Sequence, residues 1–259
     1  MAGERIMNDA TTEWGPLLTA SADSCVSFGD DRVLLTLSGP SCRILVDQNN
    51  DESEALTLAE TDLFITSVQR VSVTFSGERS YRLVDSNRLC RMLAFVDAAL
   101  PISTPPGQSC GGLGVQEVPG DIAQDVSRIE HWLALEVMRG NHDNALLNYL
   151  RRQEAYRLTG YLLNTPSECA HLNELCVRYG LSYSHFRRLC HRALGSSVKP
   201  RLREWRAARA VLDLVIGELP VLEVALDNGY ASASHISSDI KQLFGITPRM
   251  AKNARSLLP

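Results

Sequence analysis

The strongest constraint on the fold is a helical pattern that occurs twice in the last hundred residues. Residues 171–195 read HLNELCVRYGLSYSHFRRLCHRALG, and residues 221–248 read VLEVALDNGYASASHISSDIKQLFGITP. In each copy a short helical pattern ends at a glycine, Gly180 or Gly229, and a serine stands where a second helix would begin. Glycine accepts the positive φ of a tight turn and serine is a good N-cap, so each copy predicts a helix-turn-helix unit.

The apolar residues of both copies stand at helical spacings that predict one buried face for each helix. In the first copy Phe186, Leu189 and Cys190 fall at i, i+3 and i+4, which would turn the opposite face of that helix outward. The other residues that we expect in the two cores are Leu172, Leu175, Cys176, Tyr179 and Leu181 in the first unit and Val221, Val224, Ala225, Tyr230, Ile236 and Ile240 in the second.

A single helix is predicted between the two units, over residues 199–217, with Pro200 tolerated in its first turn. Such a helix would hold the second helices of the two units at a fixed separation. If that separation is ~34 Å, one turn of DNA, both can enter successive major grooves on one face of the duplex. The pattern therefore predicts binding to double-stranded DNA.

The outward face of each second helix supplies the candidate DNA-binding residues. Arg187 and Arg188 are the candidate base readers, because a guanidinium can donate two hydrogen bonds to guanine or neutralise a phosphate. An Arg-Arg pair by itself is more often a solvated helix face, and the repetition of the unit favours DNA binding instead. The full candidate set is Ser182, Tyr183, Ser184, Arg187, Arg188, His191, Ser232, Ala233, Ser234, Ser237, Ser238 and Lys241.

The charge is divided between the two parts of the chain in a way that agrees with this prediction. Residues 160–259 hold 13 Lys and Arg against 8 Asp and Glu, whereas residues 1–159 hold 13 against 22. A basic module is thus joined to an acidic one. This division indicates that only the C-terminal part meets a polyanion.

Short runs rich in β-branched and aromatic residues dominate residues 24–84, and turn-forming residues separate them. They predict antiparallel strands in a small β-sandwich or barrel, capped by an amphipathic helix over Ser86–Leu100. The fold class is therefore α+β, with a helical C-terminal domain. The predicted strands are Arg32–Leu37, Arg43–Asp47, Leu63–Thr66, Val68–Phe75 and Tyr81–Val84.

A stretch dense in Pro and Gly predicts the boundary between the two parts. The predicted domains are a β-rich regulatory domain over 1–100, a linker over 101–120, a helical pair over 121–165 and a DNA-binding domain over 166–259. In the pair, Asp121 would cap the first helix, and the second would run from about Asn144 to Leu163. The pair either packs against its own chain or serves as a dimerisation or partner-binding element.

Several motifs of the C-terminal part resemble the AraC/XylS family of transcription regulators. The motifs are Arg206-x-x-x-Ala210, Asn228-Gly229-Tyr230, the Ser232–Phe244 helix and Phe244-Gly245-Ile246-Thr247-Pro248. The resemblance covers about residues 170–255, and it implies a cupin-like N-terminal barrel that binds a small effector and dimerises. Carried over by position, the family's base-facing sites are Ser184, Arg187 and Arg188 in the first unit and Ala233, Ser234, Ser237 and Ser238 in the second.

The second unit departs from the family pattern at Ser238, where family members often have an arginine. This chain has only short side chains across that face. Short hydroxyls reach phosphates or a thymine methyl but discriminate less between bases. Base specificity is therefore predicted to lie mainly in the first unit.

A narrower resemblance links the phrases YSHFRRLC and LREWRAARA to regulators of type III secretion genes. It implies an activator of virulence or type III secretion genes that acts on RNA polymerase, with a secretion chaperone as co-activator. The alternative is a family member that senses a small-molecule effector in its N-terminal domain, with a homodimer as a possible form in both cases. A remote alternative is a DNA-linked methyltransferase with a nucleophilic cysteine.

Cysteine and histidine usage argues against an enzyme, a metal site and a cofactor. The six histidines all follow the linker, whereas a catalytic cupin needs them inside the barrel. The N-terminus has no apolar core of a secretion signal and no run is long enough to span a membrane, so we expect a cytoplasmic chain. The seven cysteines, expected to be reduced and mostly buried, are Cys25, Cys42, Cys90, Cys110, Cys169, Cys176 and Cys190.

Overall fold

The structure is a computed structural model that divides into two compact units, residues 1–160 and residues 161–259. The first is built from β-sheets and helices, and the second is helical. No helix among the described residues is long and apolar enough to cross a membrane. The described residues are 15–29, 31–48, 53–58, 60–100, 113–120, 122–123, 125–141, 143–165, 172–217 and 219–254.

The described strands of the N-terminal unit form two antiparallel sheets. One has the order β1-β8-β3-β6-β9 and the other the order β2-β7-β4-β5. Leu34 and Ile65 of the first sheet share one core cluster with Ile44 and Val73 of the second, so the predicted sandwich is confirmed. The strands are β1 Leu18–Ala20, β2 Cys25–Phe28, β3 Arg32–Thr36, β4 Cys42–Gln48, β5 Ser53–Leu58, β6 Asp62–Ser67, β7 Val71–Phe75, β8 Arg79–Asp85 and β9 Leu113–Val118.

Strand β9 corrects the predicted linker over its last part. It pairs with β6, and Val115 lies opposite Ile65. A Cβ at Gly114 would stand 2.6 Å from Thr66 Oγ1, so the glycine that suggested a linker is what allows this close approach. The rest of the predicted linker, 101–112, lies outside the described residues.

Four helices are described in this part of the chain; the first lies between β8 and β9, and the other three follow β9. Asp125 caps the second of them, whereas the predicted cap, Asp121, lies outside the described residues. The predicted single helix over 144–163 is interrupted, because Gln153 has an extended ψ of 144°. The four helices are α1 Ser86–Ala99, α2 Val126–Met138, α3 Ala145–Arg152 and α4 Glu154–Leu163.

Ion pairs attach these helices to one another. Arg88 of α1 pairs with Glu130 of α2 at 2.5 Å, and Arg151 of α3 pairs with Asp97 of α1 at 2.8 Å. Helix α3 also packs against β6 and β9. The helices α2 and α3 therefore pack against their own chain, which is one of the two alternatives left open by the sequence.

The C-terminal unit contains the two predicted helix-turn-helix units and the helix between them. That helix begins and ends within one residue of the predicted 199–217, and Pro200 lies in its first turn. The helices are α5 Leu172–Tyr179, α6 Tyr183–Leu194, α7 Val198–Ile216, α8 Val221–Asp227, α9 Ala233–Phe244 and α10 Pro248–Ala254.

Candidate DNA-binding interface

A glycine in the left-handed region forms the turn of the first unit. Gly180 has a φ of +82°, and the N–H of Leu181 donates to the carbonyl of Cys176 at 3.1 Å. The hydroxyl of Ser182 then accepts from the N–H of His185 at 3.4 Å and caps α6. These local hydrogen bonds set the direction in which α6 leaves α5.

The second unit repeats this geometry with other residues. Gly229 has a φ of +70°, and the N–H of Tyr230 donates to the carbonyl of Ala225 at 2.8 Å. The hydroxyl of Ser232 accepts from the N–H of His235 at 3.1 Å and caps α9. Both second helices therefore begin at a serine cap, as the sequence predicts.

Aromatic side chains pack against the buried face of α6. Phe186 is fully buried and meets the ring of Tyr179 edge to face, with 5.6 Å between ring centroids. Tyr179 in turn meets Tyr161 at 5.0 Å. Leu189 and Cys190 are buried on the same side, so the predicted inner face of α6 is confirmed.

An ion pair between α7 and α9 holds the second unit. The buried carboxylate of Asp239 accepts from Arg203 Nε at 3.0 Å and from Nη2 at 2.6 Å. The hydrogen bond from Arg203 lowers the pKa of the Asp239 carboxyl below its ordinary value of 3.8, although burial acts against it. Beside this pair, the guanidinium of Arg206 lies 4.8 Å from the centroid of the Tyr230 ring.

Sequence reasoning missed the Arg203–Asp239 pair. Arg206 and Tyr230 of this cluster are named residues of the family motifs, whereas Arg203, three residues before Arg206 on the same side of α7, is not. The signal for this pair in the sequence was the i, i+3 spacing of Arg203 and Arg206, together with an aspartate, Asp239, among the apolar residues on the inner face of α9. The pair fixes the position of α9 on α7.

The predicted DNA-binding residues of α6 lie together on its outer face, and all of them are exposed. Five of them, all but Ser182, line a single groove with Ser197 and Lys199, at the beginning of α7. Lys199 was not predicted, and it adds a positive charge to this groove. Contact of these residues with DNA stays a prediction. The six α6 candidates are Ser182, Tyr183, Ser184, Arg187, Arg188 and His191.

The candidate DNA-binding residues of α9 are less exposed as a group than those of α6. Ser234, Ser238 and Lys241 are exposed, whereas Ser232, Ala233 and Ser237 are half-buried. The hydroxyl of Ser237 donates to the carbonyl of Ala233 at 2.6 Å, so its proton is already used within the helix. The face of α9 therefore offers fewer free donors to base edges than that of α6.

The buried cysteines among the described residues do not have the chemistry of activated nucleophiles. Four of the five, all but Cys25, are buried. Burial raises the pKa of the Cys90 thiol and that of the Cys190 thiol to about 12. Cys110 and Cys169 lie outside the described residues, and those residues include no group of three or more potential metal ligands.

Comparison with known proteins identifies the family. A family model described as a helix-turn-helix domain matches residues 175–254. The invasion protein InvF of Salmonella typhi is 37% identical over 186 residues, which cover 71% of this chain and 86% of InvF. The chain belongs to the AraC/XylS family. The transcriptional regulator MxiE of Shigella flexneri is 38% identical over 120 residues, 46% of this chain and 57% of MxiE.

This AraC/XylS chain is a DNA-binding transcription regulator. The matched segment contains the whole of α6 and α9, together with the helix that joins the two units. A solved structure of ToxT from Vibrio cholerae aligns over 94% of this chain and 97% of ToxT, with a TM-score of 0.38 and 13% identity. That likeness is too low to bear on either fold or function.

Proposed function

We propose that this AraC/XylS regulator activates virulence genes of a type III secretion system. The observation that carries the proposal is the match to InvF over most of both chains, since that relative is an invasion protein. MxiE, the other relative, is a transcriptional regulator. The proposed place of action is the cytoplasm, on double-stranded DNA, and the proposed role is regulatory rather than catalytic.

The proposed DNA-binding domain is 166–259, with α6 as the main reading helix. In this proposal Arg187 and Arg188 contact base edges in the major groove, where a guanidinium fits guanine O6 and N7. Lys199 and Lys241 are proposed phosphate contacts, because both are exposed cations near the reading helices. The exposed hydroxyls of α9, on Ser234 and Ser238, are proposed to contact DNA in the second major groove.

The proposed partners are RNA polymerase and a type III secretion chaperone that serves as co-activator, with a homodimer as the proposed oligomeric form. The resemblance of the first reading helix to regulators of type III secretion genes supports a secretion chaperone as the co-activator. The proposed regulatory domain is the β-rich part, 1–100, and the proposed linker is reduced to 101–112 by the finding of β9.

DNase I footprinting with the full chain tests this function on promoters of type III secretion genes. We expect protection of two adjacent sites, ~10 base pairs apart on one face of the duplex. The slope of log K against log salt should be about −0.9 for each phosphate contacted. Absence of protection at these promoters, or affinity independent of salt, contradicts the proposal.

Transcription in vitro with purified RNA polymerase tests the partners. We expect the regulator to raise transcript yield, and a purified secretion chaperone to raise it further at constant promoter occupancy. A yield that is insensitive to the chaperone but rises with a small metabolite supports the effector-sensing alternative instead.

A further inference from the structure

Tyr183 places an aromatic ring at the beginning of the first reading helix. It is the first residue of α6, directly after the cap Ser182, and its side chain is 49% exposed. No hydrogen bond, ion pair or ring contact among the described residues involves the Tyr183 side chain. The base-facing sites carried over from the family begin one residue later, at Ser184, so they do not account for the ring.

The ring belongs to the groove on the outer face of α6. Tyr183 and Arg187 stand at i and i+4, so they lie on one side of the helix about one turn apart, and both line this groove. The lining includes three cationic side chains, on Arg187, Arg188 and Lys199, and no carboxylate. The exposed acid of α5, Glu174, does not line the groove. The groove therefore favours a polyanion next to the ring.

The second reading helix shows that the fold does not need a ring at this position. Both α6 and α9 are 12 residues long, and both begin after a serine cap. Counted from the caps Ser182 and Ser232, Tyr183 corresponds to Ala233. The second unit thus forms the same turn and cap with a methyl group in place of the ring. Packing of the helix-turn-helix unit therefore does not explain Tyr183.

The position of Tyr183 on the helix indicates what its ring can reach. In helix-turn-helix complexes the N-terminal residues of the reading helix contact base edges. At this end of α6 the neighbouring Ser184 is short, so Tyr183 has the longer reach. An aromatic ring cannot form the two hydrogen bonds that a guanidinium donates to guanine, but it packs against an apolar group. The C5 methyl of thymine is such a group in the major groove, so thymine is the base that the ring would select.

We propose that Tyr183 is a specificity-determining residue whose ring packs on the C5 methyl of a thymine in the major groove. This thymine lies within about two base pairs of the one that Arg187 contacts, because the two side chains are one helical turn apart. The inference rests on the proposed function, since it requires α6 in a major groove. It adds an apolar contact to the hydrogen bonds proposed for the arginines of the same helix.

Removal of single methyl groups from the operator tests this contact directly. Each thymine within the footprint is replaced in turn by uracil, which lacks only the C5 methyl, and the Kd of the full chain is measured by fluorescence anisotropy. Wild type should bind about fourfold more weakly when the contacted thymine is replaced, because burial of one methyl group contributes about that much. Unchanged affinity at every replaced thymine overturns the proposal.

Two variants of Tyr183 assign the contact to its ring. Tyr183→Ala should bind the thymine and uracil duplexes equally, whereas Tyr183→Phe keeps the ring and should retain the fourfold difference. His185→Ala is the matched control, because His185 is exposed in the first turn of α6 and does not line the groove. It should also retain the difference. A fourfold effect of uracil that persists in Tyr183→Ala overturns the proposal.

A phosphate contact by the Tyr183 hydroxyl would give a different pattern. Tyr183→Phe and Tyr183→Ala would then weaken binding to all duplexes alike, and neither would alter the effect of uracil; this result overturns the proposal. The circular dichroism of both variants should match that of wild type, since the side chain lies outside the buried core. Failure of wild type to bind promoter DNA refutes the proposed function, whereas promoter binding without an effect of uracil refutes the Tyr183 contact alone.

Discussion

Arg188→Ala tests whether base recognition resides in the first helix-turn-helix unit. Arg188 is exposed on α6, and no ion pair among the described residues involves it. Its guanidinium is therefore free to meet a base. Alanine is the best helix former, and the buried face of α6 is untouched, so the variant should fold as wild type does.

The expected magnitude follows from what each reading helix offers. A bidentate contact from arginine to guanine discriminates by roughly 1–3 kcal/mol, which is about 5- to 150-fold in the ratio of Kd values. Ser238 offers a single hydroxyl, and the neighbouring hydroxyl of Ser237 is already bonded to Ala233. Ser238→Ala should therefore change the same ratio by at most about 2- to 13-fold, since a neutral hydrogen bond contributes roughly 0.5–1.5 kcal/mol.

Fluorescence anisotropy measures both effects. The full chain is titrated onto the footprinted operator and onto duplexes that each carry one substituted base pair, at several salt concentrations. Arg188→Ala should remove the preference at one base pair and leave the others unchanged. Arg188→Lys is the control, because it keeps the charge and loses the planar fork.

Two results would refute the reasoning. In the first, Ser238→Ala relaxes base preference more than Arg188→Ala does, which places specificity in the second unit. In the second, Arg188→Ala weakens binding to all sequences equally and reduces the salt slope by about 0.9, which assigns the side chain to a phosphate.

Three further substitutions probe how the reading helices are held. Phe186→Ala should lower the free energy of unfolding by roughly 3–5 kcal/mol in urea denaturation, because the ring is fully buried against Tyr179. Asp239→Asn should lower stability at pH 7, and this loss should shrink as pH falls below 3.8, because the folded-state pKa of the carboxyl is lowered below 3.8 and its contribution disappears as pH falls through that lower pKa. Gly245→Ala should cost about 1–2 kcal/mol in thermal unfolding, because Gly245 has a φ of +69°.

Two of these predictions have a control variant. Phe186→Leu keeps most of the buried volume and should cost less than about 1.5 kcal/mol. Gly160→Ala lies in a helix with open space for the methyl group and should stabilise by roughly 0.5–1 kcal/mol. Equal losses for Phe186→Ala and Phe186→Leu, a pH-independent effect of Asp239→Asn, or stabilisation by Gly245→Ala would each contradict the corresponding account.

Local patterns were sufficient for the architecture of the DNA-binding unit. The turn and cap residues form the turns through hydrogen bonds that span at most five positions, so their effect can be predicted from neighbouring residues in the sequence. These residues are Gly180, Ser182, Gly229 and Ser232. The inner faces of α6 and α9 follow in the same way from helical spacing. Short runs of β-branched and aromatic residues, separated by turn-forming residues, predicted a β-sandwich or barrel, again from residues close to each other in the chain.

Only the tertiary structure decided the features that depend on distant partners. Strand β9 needed β6, nearly fifty residues away, and the Arg203–Asp239 pair spans 36 positions. The exposure of Leu222 and Leu226 belongs to the same class, because the segment VLEVAL is apolar on more than one side and its sequence does not determine which side is covered. A residue's spacing determines which face of a helix it occupies, but the burial of that face depends on surfaces supplied by remote parts of the chain.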